Sequence, residues 1–199
     1  MSNQRERRVL VSKLELRAAG EGEARVMTGY GAVFNSATDI GGWWTEVIAP
    51  GAFTRSLQEN DVVALHSHDM GRVIGRSSAG TLRLSEDDRG LKVECDLPDT
   101  SDGRDLAVSI ERGDITGMSF GFMTRKCEWD ETVEPPKRTL IDVELYEVTA
   151  TAFPAYEDTE LAVRSARPIA EERERTRQRP TSRNLAARRA RQAQIDRGI

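Results

Sequence analysis

The sequence predicts a mostly β domain over about residues 10–163, with one or two helices and a basic C-terminal tail. Three observations lead there. Short apolar runs of strand length recur along the chain, separated by Gly, Asp and Pro clusters. One stretch near residues 102–112 switches to a helical period. Beyond Pro168 the apolar core pattern stops, apart from residues 185–195, which read as a marginal helix. Many short strands joined by tight turns suggest a barrel or a sandwich.

Taken in order, residues 1–8 are polar and are expected to be loose. Residues 9–18 contain Leu14-Glu15-Leu16, a first strand. Gly20-Glu21-Gly22 reads as a turn, and Val26, Tyr30, Ala32 and Phe34 form a strand-like apolar set after it. Gly41-Gly42 breaks the chain before a short strand at 44–48, which Pro50-Gly51 ends. Phe53 and Leu57 stand i,i+4 in a short helical turn over 52–57. Val62-Val63-Ala64-Leu65 is a buried strand that delivers His66 and His68 at its end. Strands at 73–75, 82–84 and 91–95 follow, the last two joined by the turn Asp87-Asp88-Arg89-Gly90, in the manner of an antiparallel meander.

The helix at 102–112 carries its own punctuation. Thr100 or Ser101 caps it, Asp102 and Asp105 sit in its first turn, Leu106 and Ile110 share a face, and Arg112 and Gly113 close it. A strand around Ser119 starts directly afterwards and stays extended to Trp129. Pro135-Pro136 marks a loop over 133–138. Residues 139–153 are the longest strand signal in the chain, stopped by Pro154, and Leu161-Ala162-Val163 reads as a final short strand.

Charge divides the chain. Residues 164–199 hold 11 Arg and 4 acidic side chains, a net of +7, which leaves −11 on residues 1–163 within a total of −4. An acidic body does not bind nucleic acid by electrostatics, and the basic tail has the composition of a solvated segment. Cys95 and Cys127 are far apart, without metal-ligand spacing, and read as buried small hydrophobes in a reducing compartment. No apolar run approaches the ~18 residues of a membrane helix, and no signal peptide is recognisable, so a soluble, intracellular protein is expected.

Gly117-Met118-Ser119-Phe120-Gly121 marks a candidate nucleophile. Two glycines around an apolar-Ser-apolar trio are unusual in a buried strand; the bland alternative is a small-residue bulge. The pattern G-x-S-x-G also occurs at the nucleophile elbow of α/β-hydrolases, but there the histidine follows the serine and a helix begins after it. Here both histidines precede Ser119 and the chain continues as a strand. Triads vary in chain order, so a His-before-Ser arrangement remains open to nucleophilic catalysis, with His66 or His68 as base. His66-Ser67-His68-Asp69 has a metal reading too, because residues i and i+2 of a strand point the same way. The chain has only two histidines, so a zinc site would need carboxylates to complete it. Asp142, Glu144 and Glu147 supply carboxylates on the long strand; strict alternation puts the first two on one face and Glu147 on the other. Glu147 sits between Tyr146 and Val148, where a charge needs a partner, either an imidazole or an Arg across the sheet.

These pieces, in order, resemble the prohead (procapsid maturation) serine proteases of HK97-like tailed phages, a family distantly similar to the herpesvirus assemblins. The resembling segments are Gly29-Tyr30-Gly31-Ala32-Val33-Phe34-Asn35, Ile48-Ala49-Pro50-Gly51-Ala52-Phe53, Leu65-His66-Ser67-His68-Asp69 and Val73-Ile74-Gly75-Arg76. They continue with residues 94–97, residues 113–122 around Ser119, residues 142–149, and Phe153-Pro154-Ala155-Tyr156. Ser67 stands where the family usually has Asn, and Thr149 where it usually has Ser.

The resemblance implies a small antiparallel β-barrel with a few flanking helices over residues 10–165, between a flexible 1–9 and a basic, disordered or partly helical tail at 166–199. It implies a serine endopeptidase that cleaves the scaffold-like N-terminal segment of the major capsid protein, and itself, inside the prohead in the host cytoplasm. His68 falls on the family histidine, leaving His66 the lesser candidate, and Ser119 falls on the nucleophile. Glu147 is the third member, with Asp142 as alternative. Oxyanion donors are expected near Gly117, Gly121 or a loop at 73–76. No cofactor, metal, membrane or nucleic-acid partner is implied, and self-association is compatible with the reading. The rival is a non-enzymatic capsid assembly protein with the same fold.

Overall fold

The computed structural model describes residues 5–10, 14–18, 25–152 and 166–175. The chain divides into two units, Met1–Ala166 and Arg167–Ile199. The elements are β1 (Arg5–Leu10), β2 (Glu15–Ala18), β3 (Arg25–Val33), β4 (Thr38–Ile40), β5 (Trp44–Ile48), α1 (Thr54–Glu59), β6 (Val63–His66), β7 (Asp69–Arg76), β8 (Leu82–Glu86), β9 (Gly90–Asp96), α2 (Ser101–Arg112), β10 (Gly117–Asp130) and β11 (Lys137–Thr151). Residues 166–175 are helical. The expected turn at 20–22, the strand at 161–163, the segment 153–156 and the helix at 185–195 lie outside the described residues.

Mostly β content with few helices agrees with the sequence, but the strands form two sheets and no barrel closes among the described residues. One sheet runs β1-β10-β11-β5-β4, with β6 paired to β11 and to β7; the other runs β2-β3-β9-β8. Nor is the pairing purely antiparallel. One edge of β11 holds β10 along its length. The other edge takes β5 and then β6, both parallel. Consecutive strands pair antiparallel as the hairpins β4-β5, β6-β7, β8-β9 and β10-β11, but the expected meander breaks between β7 and β8, which lie in different sheets. The expected loop at 73–76 lies within β7.

Residues 5–10 are the clearest departure at the N-terminus. They form an edge strand on β10, with Arg5 opposite Met123 and Val9 opposite Ser119. Alternation splits this polar run into two faces. Glu6 and Arg8 point to the core side and are buried. There they join Glu46 of β5 and Arg138 of β11. Arg8 Nη2 lies 2.7 Å from Glu6 Oε2 and 3.0 Å from Glu46 Oε2, and Arg138 Nη1 lies 2.7 Å from Glu6 and 3.0 Å from Glu46. Two carboxylates and two guanidiniums alternate, which is what four charges need to stay ionised away from water.

Local signals were reliable where they are satisfied locally. α2 starts one residue earlier than read. Thr100 caps it by accepting from the Gly103 N–H at 3.3 Å, and Gly113, at φ +79°, takes the left-handed C′ position. Asp87 Oδ1 accepts from the N–H groups of Arg89 and Gly90 at 2.9 and 3.0 Å, fixing the turn between β8 and β9. Between the sheets lie Phe53, Phe120 and Phe122; Phe53 meets Phe120 edge-on at 5.6 Å and Phe120 stacks on Phe122 at 5.1 Å. Each such ring contributes about 2–3 kcal/mol by leaving water.

The core side of β11 alternates through Val143 and Leu145 and resumes at Val148 and Ala150. The extra residue is a bulge: Leu145 opposes Phe122, Glu147 opposes Gly121, and Tyr146 has no partner between them. Strict alternation therefore fails. Glu147 lies on the same non-core face as Asp142 and Glu144, not on the other one.

Candidate active site

Ser119 lies near the start of β10, directly opposite Thr149 and diagonal to Glu147. Diagonal neighbours on one face of an antiparallel pair have Cα atoms about 7–8 Å apart. Ser119, Glu147 and Thr149 are at most 1% exposed. Gly121 opposes Glu147, and a Cβ there would stand 2.6 Å from Glu147 Cγ and 2.7 Å from Oε1. The second glycine of the motif thus leaves the space in which the carboxylate lies.

His68 arrives from the other edge of β11. β6 runs parallel beside residues 147–150 and turns back into β7, with His66 opposite Asp69. Ser67 and His68, at φ +54° and +57°, form the two-residue loop, the signature of a type I′ turn. The Ser67 N–H donates to the Ala150 carbonyl at 3.0 Å and pins the turn at that level. From there His68 reaches back along β11, and its Nδ1 lies 3.0 Å from Glu147 Oε1. The span passes Thr149, whose neighbour across the sheet is Ser119.

Both partners that the sequence left open for Glu147 are present: besides His68, Arg7 Nε approaches the same Oε1 at 3.1 Å. Asp142 is not brought to His68; it faces Arg55 at 3.8 Å. Ser119 is not hydrogen-bonded to His68 either. Its hydroxyl donates to the Arg8 carbonyl of β1 at 2.9 Å. His68 Nε2, Glu147 Oε2 and Thr149 Oγ1 are buried without a hydrogen-bond partner among the described residues. A carboxylate on Nδ1 favours the proton there and leaves Nε2 with a lone pair able to accept one.

His66 does not join His68, because the left-handed turn breaks strand alternation after His66. Burial, followed by the charge of Arg72, lowers its pKa, against the opposing pull of Asp102, Asp105 and Asp69. Among the described residues no three His, Cys, Asp or Glu side chains converge as a metal site would require. Cys95 is buried and its thiol is pushed up to about 12 by that burial, so it is no nucleophile at neutral pH. No described helix is long and apolar enough to cross a membrane.

A family model described as the caudovirus prohead serine protease matches residues 12–174. The chain belongs to that family. It is similar to the prohead protease of Enterobacteria phage HK97, at 32% identity over 153 residues, 74% of this chain and 64% of that protein. It is similar also to the prohead protease of Escherichia phage T5, at 31% over 97 residues, 49% of this chain and 43% of that one. The chain thus spans less than two thirds of the length of either relative. The solved bacteriophage T4 capsid assembly protease shares the fold, with a TM-score of 0.54 at 11% identity, over 76% of this chain and 98% of that one.

Within this prohead serine protease family member, His68, Ser119 and Glu147 all lie inside the matched segment, and β1 lies outside it. Sequence reasoning missed Arg7 as a neighbour of Glu147. Residues 5–10 carry no apolar/polar alternation that would mark them as a strand, so no sequence signal pointed to it.

Proposed function

We propose that this chain is the serine endopeptidase of phage capsid maturation, with Ser119 as nucleophile, His68 as general base and Glu147 as the residue that orients it. The hydrogen bond between His68 Nδ1 and Glu147 Oε1 carries the reading, because it leaves Nε2 as a buried, unengaged base on the sheet face that holds Ser119. Ser119 Oγ attacks the peptide carbonyl carbon while its proton passes to His68 Nε2. The imidazolium, stabilised by Glu147, then protonates the leaving amine, and water hydrolyses the acyl-enzyme by the same exchange. The substrate is the scaffold-like N-terminal segment of the major capsid protein, followed by the protease itself, inside the assembling prohead in the host cytoplasm. Self-association of the protease is compatible with that setting.

Ser119→Ala tests this in proheads assembled with the full chain: capsid protein stays uncleaved, and wild-type processing by the variant removes Ser119 from the mechanism. A non-enzymatic assembly role is favoured by one observation, the hydroxyl of Ser119 being tied to the Arg8 carbonyl. A fluorophosphonate adduct mapped to Ser119 decides for the enzyme.

A further inference from the structure

The strand that carries Ser119 has two edges. β11 fills one throughout, and β1 fills the other from Met118 to Met123. Consecutive residues of β1 engage two members of the constellation. The Arg8 carbonyl holds the Ser119 hydroxyl at 2.9 Å, and Arg7 Nε lies 3.1 Å from the Glu147 oxygen that His68 also uses. Ser119 is 0% exposed, so no peptide carbonyl reaches it in this arrangement. We infer that β1 is an intramolecular latch: residues 5–10 occupy the edge on which an extended polypeptide pairs beside Ser119, and the site opens when they leave. This rests on the catalytic reading above.

The anchoring of β1 is compatible with departure. Its buried charges are one Glu and one Arg, so it leaves as a neutral pair. Behind it Arg138 and Glu46 remain 3.0 Å apart, and neither is stranded alone. The main-chain bonds of β10 that β1 satisfies are ones any extended backbone can satisfy, which is the basis of recognition by strand addition. The carbonyl that restrains Ser119 is likewise a main-chain group, of the kind a polypeptide substrate presents.

The test locks the strand. Arg5 and Met123 are directly opposite, with Cβ atoms about 4.5–5.5 Å apart and within disulfide reach after slight adjustment. In the full chain carrying Arg5→Cys and Met123→Cys, fluorophosphonate modification of Ser119, followed by mass spectrometry, should slow at least tenfold on oxidation and recover on reduction. An unchanged or faster rate in the cross-linked protein overturns the latch. Arg7→Ala needs no cross-link and should speed modification threefold or more; an equal or slower rate overturns it as well. The two readings fail separately. Capsid processing that survives Ser119→Ala removes the catalytic assignment. Processing that requires Ser119, with modification indifferent to the lock, removes the latch alone.

Discussion

His68 Nδ1 lies 3.0 Å from Oε1 of Glu147, and the pair joins a turn after β6 to a strand 79 residues later. Replacing Glu147 by Gln keeps the volume and removes the charge that holds the imidazole and stabilises its protonated form. Glu147→Gln should lower the rate of capsid processing by about 10³-fold or more. Asp142→Asn, at the carboxylate facing Arg55, should stay within about threefold of wild type. The comparison is read from cleaved and uncleaved capsid protein over time.

Gly121 opposes Glu147, and a methyl group there would meet the carboxylate side chain well inside contact distance. Gly121→Ala should destabilise the fold by about 1–3 kcal/mol and reduce processing together with it. Shortening the acid removes the Oε1 contact but keeps Cγ, and the Tyr146 ring also lies 2.8 Å away, so Gly121→Ala combined with Glu147→Asp should recover only part of the loss, costing somewhat less stability than the two changes summed. Chemical denaturation of the four proteins reads the coupling; strict additivity would mean the methyl is accommodated elsewhere.

Ser67 holds φ +54° in the turn that presents His68. Asn tolerates the left-handed region better than Ser does. Ser67→Asn should raise stability by a few tenths to about 1 kcal/mol with processing unchanged. A lower melting temperature would show that the Ser67 side chain contributes something besides its backbone.

The buried quartet makes stability depend on acid. Burial pushes the Glu6 carboxyl up, but the hydrogen bond and charge of Arg138 and the charge of Arg8 outweigh it, and its pKa lies below the ordinary value of 4.5. A carboxyl lowered on folding contributes its full stability above its unfolded pKa and loses it as pH falls through the folded one. The melting temperature should therefore drop on acidification below about pH 4.5, and more gently in Glu6→Gln. Arg138→Leu, which leaves two buried carboxylates with Arg8 alone, should cost about 3–5 kcal/mol at neutral pH.

Much of the candidate site was legible as residue types. Ser119 stood out for its two glycines, the histidines for being two side by side, and Glu147 for being a charge in an apolar run. Choosing His68 over His66 needed the family resemblance, since spacing alone treated them as equivalent. The bulge at Tyr146, the face that Glu147 occupies and the reach of Arg7 were hidden, because strand alternation predicts faces only while no extra residue intervenes.

By itself the sequence determined the short strands, the capped α2, the turn at Asp87 and the residues with chemistry to offer. Each of these is satisfied by groups a few positions apart, so local pattern suffices. Only the tertiary structure decided that β5 and β6 lie parallel along β11, that no barrel closes among the described residues, and that residues 5–10 are a strand against Ser119. Those choices depend on which distant edge buries which face, and a run such as Arg5-Glu6-Arg7-Arg8 becomes a strand only where Glu46 and Arg138 meet its buried charges.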